Sequence, residues 1–351
     1  MLESVFGLFS KDLGIDLGTA NTLVVARGEG IIISEPSVVA VYKGTNRIVS
    51  AGKGEAVGER ARQMLGKTPD SIVAVRPLRH GVIADFEICQ AMLAYFIQKA
   101  HGQSRFARPR LIVAAPSGIT TVEKRAVINS AERAGAREVR LIREPMAGAI
   151  GCGLPVREPR GSMIVDIGGG TSEVAVLSLD DIVEASSLRT AGDEMNRAVQ
   201  DHLRQVYNLA IGEHAAERIK IEIGSAYRLD EELVKEVRGK DTVAGLPRSV
   251  VLRSEEIREA LAPTFQEIVR GIQATLEKLS PELHDDLYET GITLAGGGAL
   301  IRGLDRLVAR ETGLPVRRAD DPLTAVARGI GMVLEQLDNY WHVLEHAHEF
   351  A

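Results

Sequence analysis

Two short segments of the chain carry an Asp, glycine and a Thr at matching spacing: Ile15-Asp-Leu-Gly-Thr19 and Val165-Asp-Ile-Gly-Gly-Gly-Thr171. Each places the Asp at the end of an apolar, strand-like run and the hydroxyl residue where another strand begins. Glycine lets backbone N–H groups approach an oxyanion without a Cβ in the way, and successive N–H groups form an anion-binding nest. The carboxylates of Asp16 and Asp166 suit Mg²⁺ held through its waters, as a hard cation beside nucleotide phosphates is held. One such segment is weak evidence, because any glycine turn before a Thr produces it. Two copies at equivalent places of a repeated pattern point to two hairpins clamping one nucleotide. A third cluster, Ala295-Gly-Gly-Gly-Ala-Leu-Ile-Arg302, follows a strand-like run and opens a helix. Its backbone can approach a ribose or adenine plane, with a helix N-terminus toward phosphate; a packing-driven strand-to-helix turn has the same sequence signature.

The elements that must position these residues alternate in a regular way. Short β-branched runs joined by glycine (Leu13–Leu17, Thr22–Ala26, Ile31–Ile33, Val38–Tyr42) predict antiparallel strands. Helix-like and strand-like stretches then alternate to Ile142, and the same grammar restarts at Met163. The pattern predicts an α/β protein of two similar halves. At the N-terminus, Leu2, Val5, Phe6 and Phe9 follow i, i+3, i+4, i+7 spacing, so a helix there carries one apolar stripe. It reads either as a short helix packed on the protein body or as an interfacial membrane anchor. Two large aromatics in a chain with 4% aromatics favour the membrane. No positive n-region or small-residue cleavage site marks a signal peptide.

Composition narrows the function classes. The chain has 351 residues, 45% apolar and 26% charged, which predicts two domains or one large discontinuous one. Its formal charge is −6 with no basic block, which argues against nucleic acid as a main partner. Cys89 and Cys152 are too few for a disulfide framework or a thiolate metal site. No apolar run approaches the ~20 residues of a membrane-spanning helix. Two motif matches are rejected. Ala61-Arg-Gln-Met-Leu-Gly-Lys-Thr68 mimics a P-loop but lacks the first glycine and a preceding strand, and Glu55–Leu65 reads as helix. His342-Val-Leu-Glu-His346 matches a zinc-protease string, yet it reads as a solvated terminal helix.

With the three glycine clusters in order, the chain resembles the actin-like ATPase superfamily, and within it the MreB family of bacterial actins. The resemblance rests on Ile15-Asp-Leu-Gly-Thr-Ala-Asn-Thr22, Glu35-Pro-Ser-Val38, Gly66-Lys-Thr-Pro69, Arg76-Pro77 and Gly81-Val-Ile-Ala-Asp85. It rests equally on Glu144-Pro-Met146, Val165–Thr171, Ala191-Gly-Asp-Glu194, Ala216-Glu-Arg-Ile-Lys220, Gly296-Gly-Gly298 and Asp321-Pro-Leu-Thr324. It implies an α/β actin-like ATPase fold: two similar RNase H-like halves, a nucleotide cleft between them, and a small subdomain on each. The implied division is a membrane-binding helix at 1–11 and subdomain IA at 12–38, 79–152 and 323–340. Subdomain IB covers 39–78, IIA 153–188 and 253–322, IIB 189–252, and a tail 341–351.

By the same resemblance, Gly18, Thr19, Ala20 and Asn21 line the first phosphate loop, and Gly168, Gly169 and Gly170 the second. Glu217, Arg218, Ile219 and Lys220 flank the nucleoside, while Gly296, Gly297, Gly298, Ala299 and Leu300 cover its adenosine side. Asp16 and Asp166 organise Mg²⁺ through water. Glu144 matches the carboxylate that orients or deprotonates the attacking water, supported by Thr171. On its residues alone, Glu144 is equally a helix-start residue before Pro145. The implied function is a slow, ATP-dependent cytoskeletal subunit that directs cell-wall elongation and keeps a rod shape. A nucleotide-binding scaffold with little hydrolysis, or a kinase or chaperone of the superfamily, is the alternative. Implied partners are further copies of the chain in paired antiparallel protofilaments, the inner face of the cytoplasmic membrane, and elongation proteins such as RodZ and MreC. The implied location is cytoplasmic and peripheral on that membrane, through Leu2, Val5, Phe6, Phe9 and the loop residue Phe106. Three residues depart from the family pattern: Arg143 for a usual Glu, Ala295 for Thr and Asn196 for Asp. Arg143 either lowers the pKa of the adjacent Glu144 or points away from it.

Overall fold

A computed structural model describes residues 11–50, 54–101 and 108–346. The chain divides into two compact units. The first takes Met1–Pro159, Leu177–Ile182 and Leu323–Ala351; the second takes Arg160–Val176 and Val183–Pro322. Residues Leu2, Val5, Phe6, Phe9 and Phe106, expected to meet a membrane, lie outside the described residues.

The first unit is built on a six-stranded sheet in the order Leu344–His346, Glu138–Arg143, Arg110–Ala115, Leu13–Leu17, Asn21–Ala26, Gly30–Pro36. Strand Leu13–Leu17 runs parallel to Arg110–Ala115 on one side and antiparallel to Asn21–Ala26 on the other. The second sheet has the order Asp181–Leu188, Ser172–Ser178, Ser162–Ile167, Ile292–Ala295, Val316–Arg318. There Ser162–Ile167 is parallel to Ile292–Ala295, which is parallel to Val316–Arg318. In both sheets the strand carrying the Asp therefore sits third from the end of the hairpin side, where that side meets the parallel side. The repeat predicted from the sequence is present in the topology. Ligands of open α/β sheets bind beyond the carboxyl ends of parallel strands, and both Asp-containing turns lie at such ends.

Local chemistry sets the helices around these strands. Helix Thr121–Arg133 opens with a capping box: the Glu123 amide donates to Thr120 Oγ1, and the Thr120 amide donates to the Glu123 carboxylate at 2.8 Å. Helix Glu144–Gly151 has Pro145 in its first turn. It crosses helix Ala325–Glu335 in direct backbone contact, where a Cβ on Gly151 would lie 1.9 Å from the Ala325 carbonyl oxygen. One on Gly329 would lie 1.8 Å from that of Ala147. The absence of a side chain at Gly151 and Gly329 allows this approach, which packs the middle and end of helix Glu144–Gly151 against helix Ala325–Glu335.

The cores differ between units. In the second, one continuous cluster runs from Met163 and Val165 through Leu203, Val237 and Leu252 to Leu304. In the first, strand Val39–Tyr42 has two faces. Val39 and Val41 join the main core, while Val38 and Ala40 pack with Val49, Ala56 and Ala61 into a small core of their own. This is the period-2 alternation of a strand buried on both faces.

Two local expectations are corrected. The tail is not a solvated helix: Trp341–Val343 is a single 3₁₀ turn, and Leu344–His346 is a strand added antiparallel to Glu138–Arg143. The pattern misleads because Leu344 is buried in the sheet while Glu345 pairs with Lys124, so tertiary contacts override the local period. The stretch 55–65 keeps only one helical turn, Glu59–Arg62.

Candidate functional site

In the first unit, the turn after Asp16 joins two hairpin strands with Leu17 opposite Thr22. Its shape is held from below by Ser37. The Ser37 hydroxyl donates to the Gly18 carbonyl at 2.6 Å, and the Ser37 amide donates to the Ala20 carbonyl at 3.0 Å. With the Ser37 proton committed to Gly18, the Thr22 hydroxyl, 2.9 Å away, is the donor to Ser37 Oγ. Both side chains are fully buried. From another side, the Gly81 amide donates to Thr19 Oγ1 at 3.1 Å. His80 and Gly81 both have positive φ, 49° and 74°, as the two central residues of a tight hairpin turn between Leu78–Arg79 and Val82–Ile83 require. Ser37 and Gly81 are site-building residues that the chemical reading of the sequence passes over. Their signal lay in the family motifs Glu35-Pro-Ser-Val38 and Gly81-Val-Ile-Ala-Asp85.

Burial pushes the Asp16 carboxyl up to about 7, and desolvation is the one cause. No donor or cation among the described residues offsets that cost. A carboxylate in this condition fits a hydrated divalent cation, whose charge and waters would supply the missing compensation. Glu144 begins its helix directly after strand Glu138–Arg143, which is two strands from Leu13–Leu17, a spacing of about 10 Å. The strand register places Arg143 beside Ala115, so Glu144 and Asp16 belong to the same edge of the sheet. The Arg143 guanidinium pairs with Asp181 at 2.5 Å and approaches Glu345 at 4.0 Å.

In the second unit three segments converge. The turn after Asp166 closes on itself, the Gly168 amide donating to the Thr171 carbonyl at 2.9 Å. The start of helix Gly192–Tyr207 sits on it: the Gly192 amide donates to the Gly168 carbonyl at 3.1 Å and Asp193 to Gly169 at 2.7 Å. Lys220 reaches the same place, its ammonium donating to the Gly192 carbonyl at 3.2 Å. The third glycine cluster packs on the other side of the strand end. Gly296 has φ +77°, and a Cβ there would lie 2.2 Å from Asp166 Oδ1 and 2.4 Å from the Ile167 carbonyl oxygen. A Cβ on Gly298 would lie 2.2 Å from Ile167 Cγ2. Arg302, just beyond, donates to the Ile221 carbonyl at 2.9 Å, tying this turn to the end of the helix Glu213–Ile223 that carries Lys220.

Not all of the expected residues offer side chains. Gly297 and Leu300 reach the surface of their 3₁₀ turn, but Ala299 is buried in the core. Ile219 is likewise a core residue, while Glu217 is half-buried and Arg218 exposed. Thr171 is buried. Each unit thus presents a glycine turn with an acidic residue at a strand end, the donor and charge set that phosphate with a divalent cation takes.

A family profile described as MreB/Mbl protein matches residues 10–342. The chain belongs to the MreB/Mbl family. The cell shape-determining protein MreB of Escherichia coli strain K12 is 53% identical over 340 residues, covering 96% of this chain and 97% of that protein. The crystal structure of MreB5 of Spiroplasma citri bound to AMPPNP aligns with a TM-score of 0.88 at 36% identity, over 95% of this chain and 98% of that one. The MamK double helical filament shares the fold, with a TM-score of 0.77 at 22% identity over 93% and 99%. The fold is actin-like. In this MreB/Mbl chain, the family motifs and the glycine turns found by spacing alone fall on the same strand ends.

Proposed function

We propose that this chain is an ATP-binding, actin-like filament subunit that acts in determining cell shape and hydrolyses ATP slowly. The observation that carries the reading is the pair of Asp-and-glycine turns at matching ends of two matching sheets, in a chain that aligns over nearly its whole length with a cell shape-determining protein. The AMPPNP-bound relative supports a nucleotide as the ligand. In this reading the amides of Gly18–Asn21 and Gly168–Gly170 hold phosphate oxygens, and Lys220 adds positive charge beside Gly168 and Gly169. Asp16 and Asp166 hold Mg²⁺ through water, and the cation neutralises phosphate charge. Glu144 accepts a hydrogen bond from the attacking water and holds its proton at the carboxylate, since phosphoryl transfer needs positioning and charge neutralisation more than covalent help. The filaments lie on the inner face of the membrane through the N-terminal apolar stripe. No helix among the described residues is long and apolar enough to cross a membrane.

Sedimentation tests this directly. The purified chain is pelleted with ATP, with ADP and without nucleotide, each with and without anionic liposomes, beside a variant lacking residues 1–9. Nucleotide-dependent pelleting and truncation-sensitive vesicle binding are expected. A chain that stays in the supernatant under every condition is not a filament subunit. Vesicle binding unchanged by the truncation removes the anchor.

A further inference from the structure

The nucleoside is expected to meet two walls in the second unit, the helix Glu213–Ile223 that carries Glu217 and Lys220, and the 3₁₀ turn Gly297–Leu300. Both contribute to one core, through Ile219 and Ile223 on one side and Ala299 and Ile301 on the other. Apolar packing is non-directional, so it sets how closely the walls approach and leaves their register to polar links. The helix ends at Gly224, and the last carbonyls of a helix have no partner within it. Arg302, just beyond the turn, supplies one. Its Nη1 donates to the Ile221 carbonyl at 2.9 Å and to that of Gly224 at 3.4 Å. A cation there also complements the negative end of the helix dipole. The backbone takes part as well: Ser225 forms a parallel bridge with Arg302, and the Ala226 amide donates to the Arg302 carbonyl at 2.8 Å. Gly303 follows at φ +72°, where a Cβ would lie 2.6 Å from Tyr227 Cβ. A second arginine grips the segment Ser225–Tyr227 from behind. Arg258, in helix Ser254–Leu276, has a side chain one-fifth exposed. Its Nη1 donates to Ser225 Oγ at 3.0 Å and to the Tyr227 carbonyl at 3.2 Å, and its Nη2 binds the Glu232 carboxylate at 2.8 Å. Ser225 is fully buried. Arg258, with the Ser254 hydroxyl, holds the Glu232 carboxyl down at about 2.

We propose that Arg302 and Arg258 are positioning residues for nucleoside binding, which lock the end of helix Glu213–Ile223 to the Gly297–Leu300 turn before a nucleotide arrives. The proposal rests on the nucleotide-binding reading above. Arg302 joins the two walls directly, as the cap of one and a neighbour of the other. Arg258 holds the segment through which their backbones pair. Neither guanidinium needs to touch the ligand, because each bond made in advance removes an ordering cost from binding. The clamp acts on the nucleoside that ATP and ADP share, and the reacting phosphate is served by other residues.

The test is Arg302→Met and Arg258→Met, singly and together, in the full-length chain, with ATP and ADP affinities measured by calorimetry in the presence of Mg²⁺. Loss of one hydrogen bond from a charged donor corresponds to roughly tenfold in affinity. A loss of that order is expected for each single variant, by the same factor for ATP and ADP. Phosphate release at saturating ATP should match that of the unaltered chain, so KM rises while kcat stays, a split that a general loss of folding does not produce. Because both arginines act through Ser225–Tyr227, the loss in the double variant should fall short of the sum. Arg302 is exposed, and Ile221, whose carbonyl it leaves, is 61% exposed, so Arg302→Met is expected to fold even where Arg258→Met does not. A folded Arg302→Met variant with unchanged affinity for both nucleotides overturns the proposal. So does a loss confined to ATP, which places the effect at the reacting phosphate, and so do fully additive losses, which leave no shared clamp. Failure of the unaltered chain to bind either nucleotide instead removes the nucleotide reading and this proposal with it.

Discussion

The Ser37 hydroxyl donates to the Gly18 carbonyl at 2.6 Å, and this part-buried bond fixes the backbone of the first glycine turn. Ser37→Ala removes it and leaves the part-buried Gly18 carbonyl and the buried Thr22 hydroxyl without this partner. An unsatisfied buried polar group costs about 1–3 kcal/mol, so chemical denaturation should show a loss in that range. ATP affinity, measured by calorimetry under conditions where the variant is fully folded, should fall as well, because the turn's amides are no longer held in register. A stability loss with unchanged affinity means that Ser37 supports the fold and not the turn.

Gly296→Ala tests the approach of the third glycine cluster to Asp166. The backbone conformation, φ +77° and ψ 171°, is one essentially only glycine adopts, and it costs a residue with a Cβ about 1–3 kcal/mol. Crowding against Asp166 Oδ1 and the Ile167 carbonyl adds roughly 1–3 kcal/mol more. Gly313→Ala is the milder comparison: at φ +72° and ψ 4° with no atom within 4 Å of the added Cβ, it carries only the smaller left-handed backbone cost of about 1–2 kcal/mol. Denaturation curves should place Gly296→Ala well below Gly313→Ala. Equal losses would show that the close approach in the structure relaxes freely.

The contrast between these two glycine turns and the C-terminal tail shows what a sequence discloses. Asp16, Gly18, Asp166, Gly168 and Gly296 were legible because each turn requires particular residue types in a short window, and the topology repeats them. Strand Ile292–Ala295 was legible from its short apolar run beside that turn. Ser37 and Gly81 were legible only as members of family motifs, since a serine or a glycine 19 and 62 residues from its partner leaves no pattern that discloses its role. Ile219 and Ala299 sit in functional motifs, yet their side chains serve the core. The direction of Arg143 depends on Asp181 and Glu345, which are 38 and 202 residues away, and no spacing rule reaches them.

Leu344 measures how much the tail contributes. Leu344→Ala in a solvated helix would be nearly silent. In the strand observed here its side chain is 4% exposed, so truncation should cost roughly 2–5 kcal/mol. Exposed Val122, on a helix of the same unit, is the matched surface control, and Val122→Ala should change stability by about 0.5 kcal/mol or less. Thermal or urea denaturation distinguishes the two. A silent Leu344→Ala would contradict the tail strand.

Asp16 sets a pH dependence with a definite sign. Its carboxyl is near 3.8 when unfolded and is pushed up to about 7 in the folded chain by desolvation. The folded state therefore holds this proton more tightly, so the contribution to stability is full below about pH 4 and is lost as pH rises through 7. Without nucleotide, the protein should lose stability as pH rises from about 4 to about 7 and level off above that, and Asp16→Asn should flatten that part of the profile. Mg²⁺ with ATP favours the ionised carboxylate, so ATP affinity of the unaltered chain should rise over the same interval. Parallel profiles for the chain and Asp16→Asn, in stability and in affinity, would place the titration elsewhere.

Glu144→Gln separates binding from hydrolysis. The amide keeps the size of the carboxylate and its hydrogen-bonding oxygen, so the start of helix Glu144–Gly151 and the crossing at Gly151 and Gly329 should stay intact. What disappears is the charge that orients water and accepts its proton, a contribution of about 10²–10⁴ in rate for a positioned general base. ATP affinity should be preserved, and polymer pelleted with ATP should persist longer because its nucleotide is not converted. Phosphate release should drop to the background of the assay. An unchanged rate would return Glu144 to the simpler role of an acidic residue at a helix N-terminus, where its charge favours the dipole and nothing more.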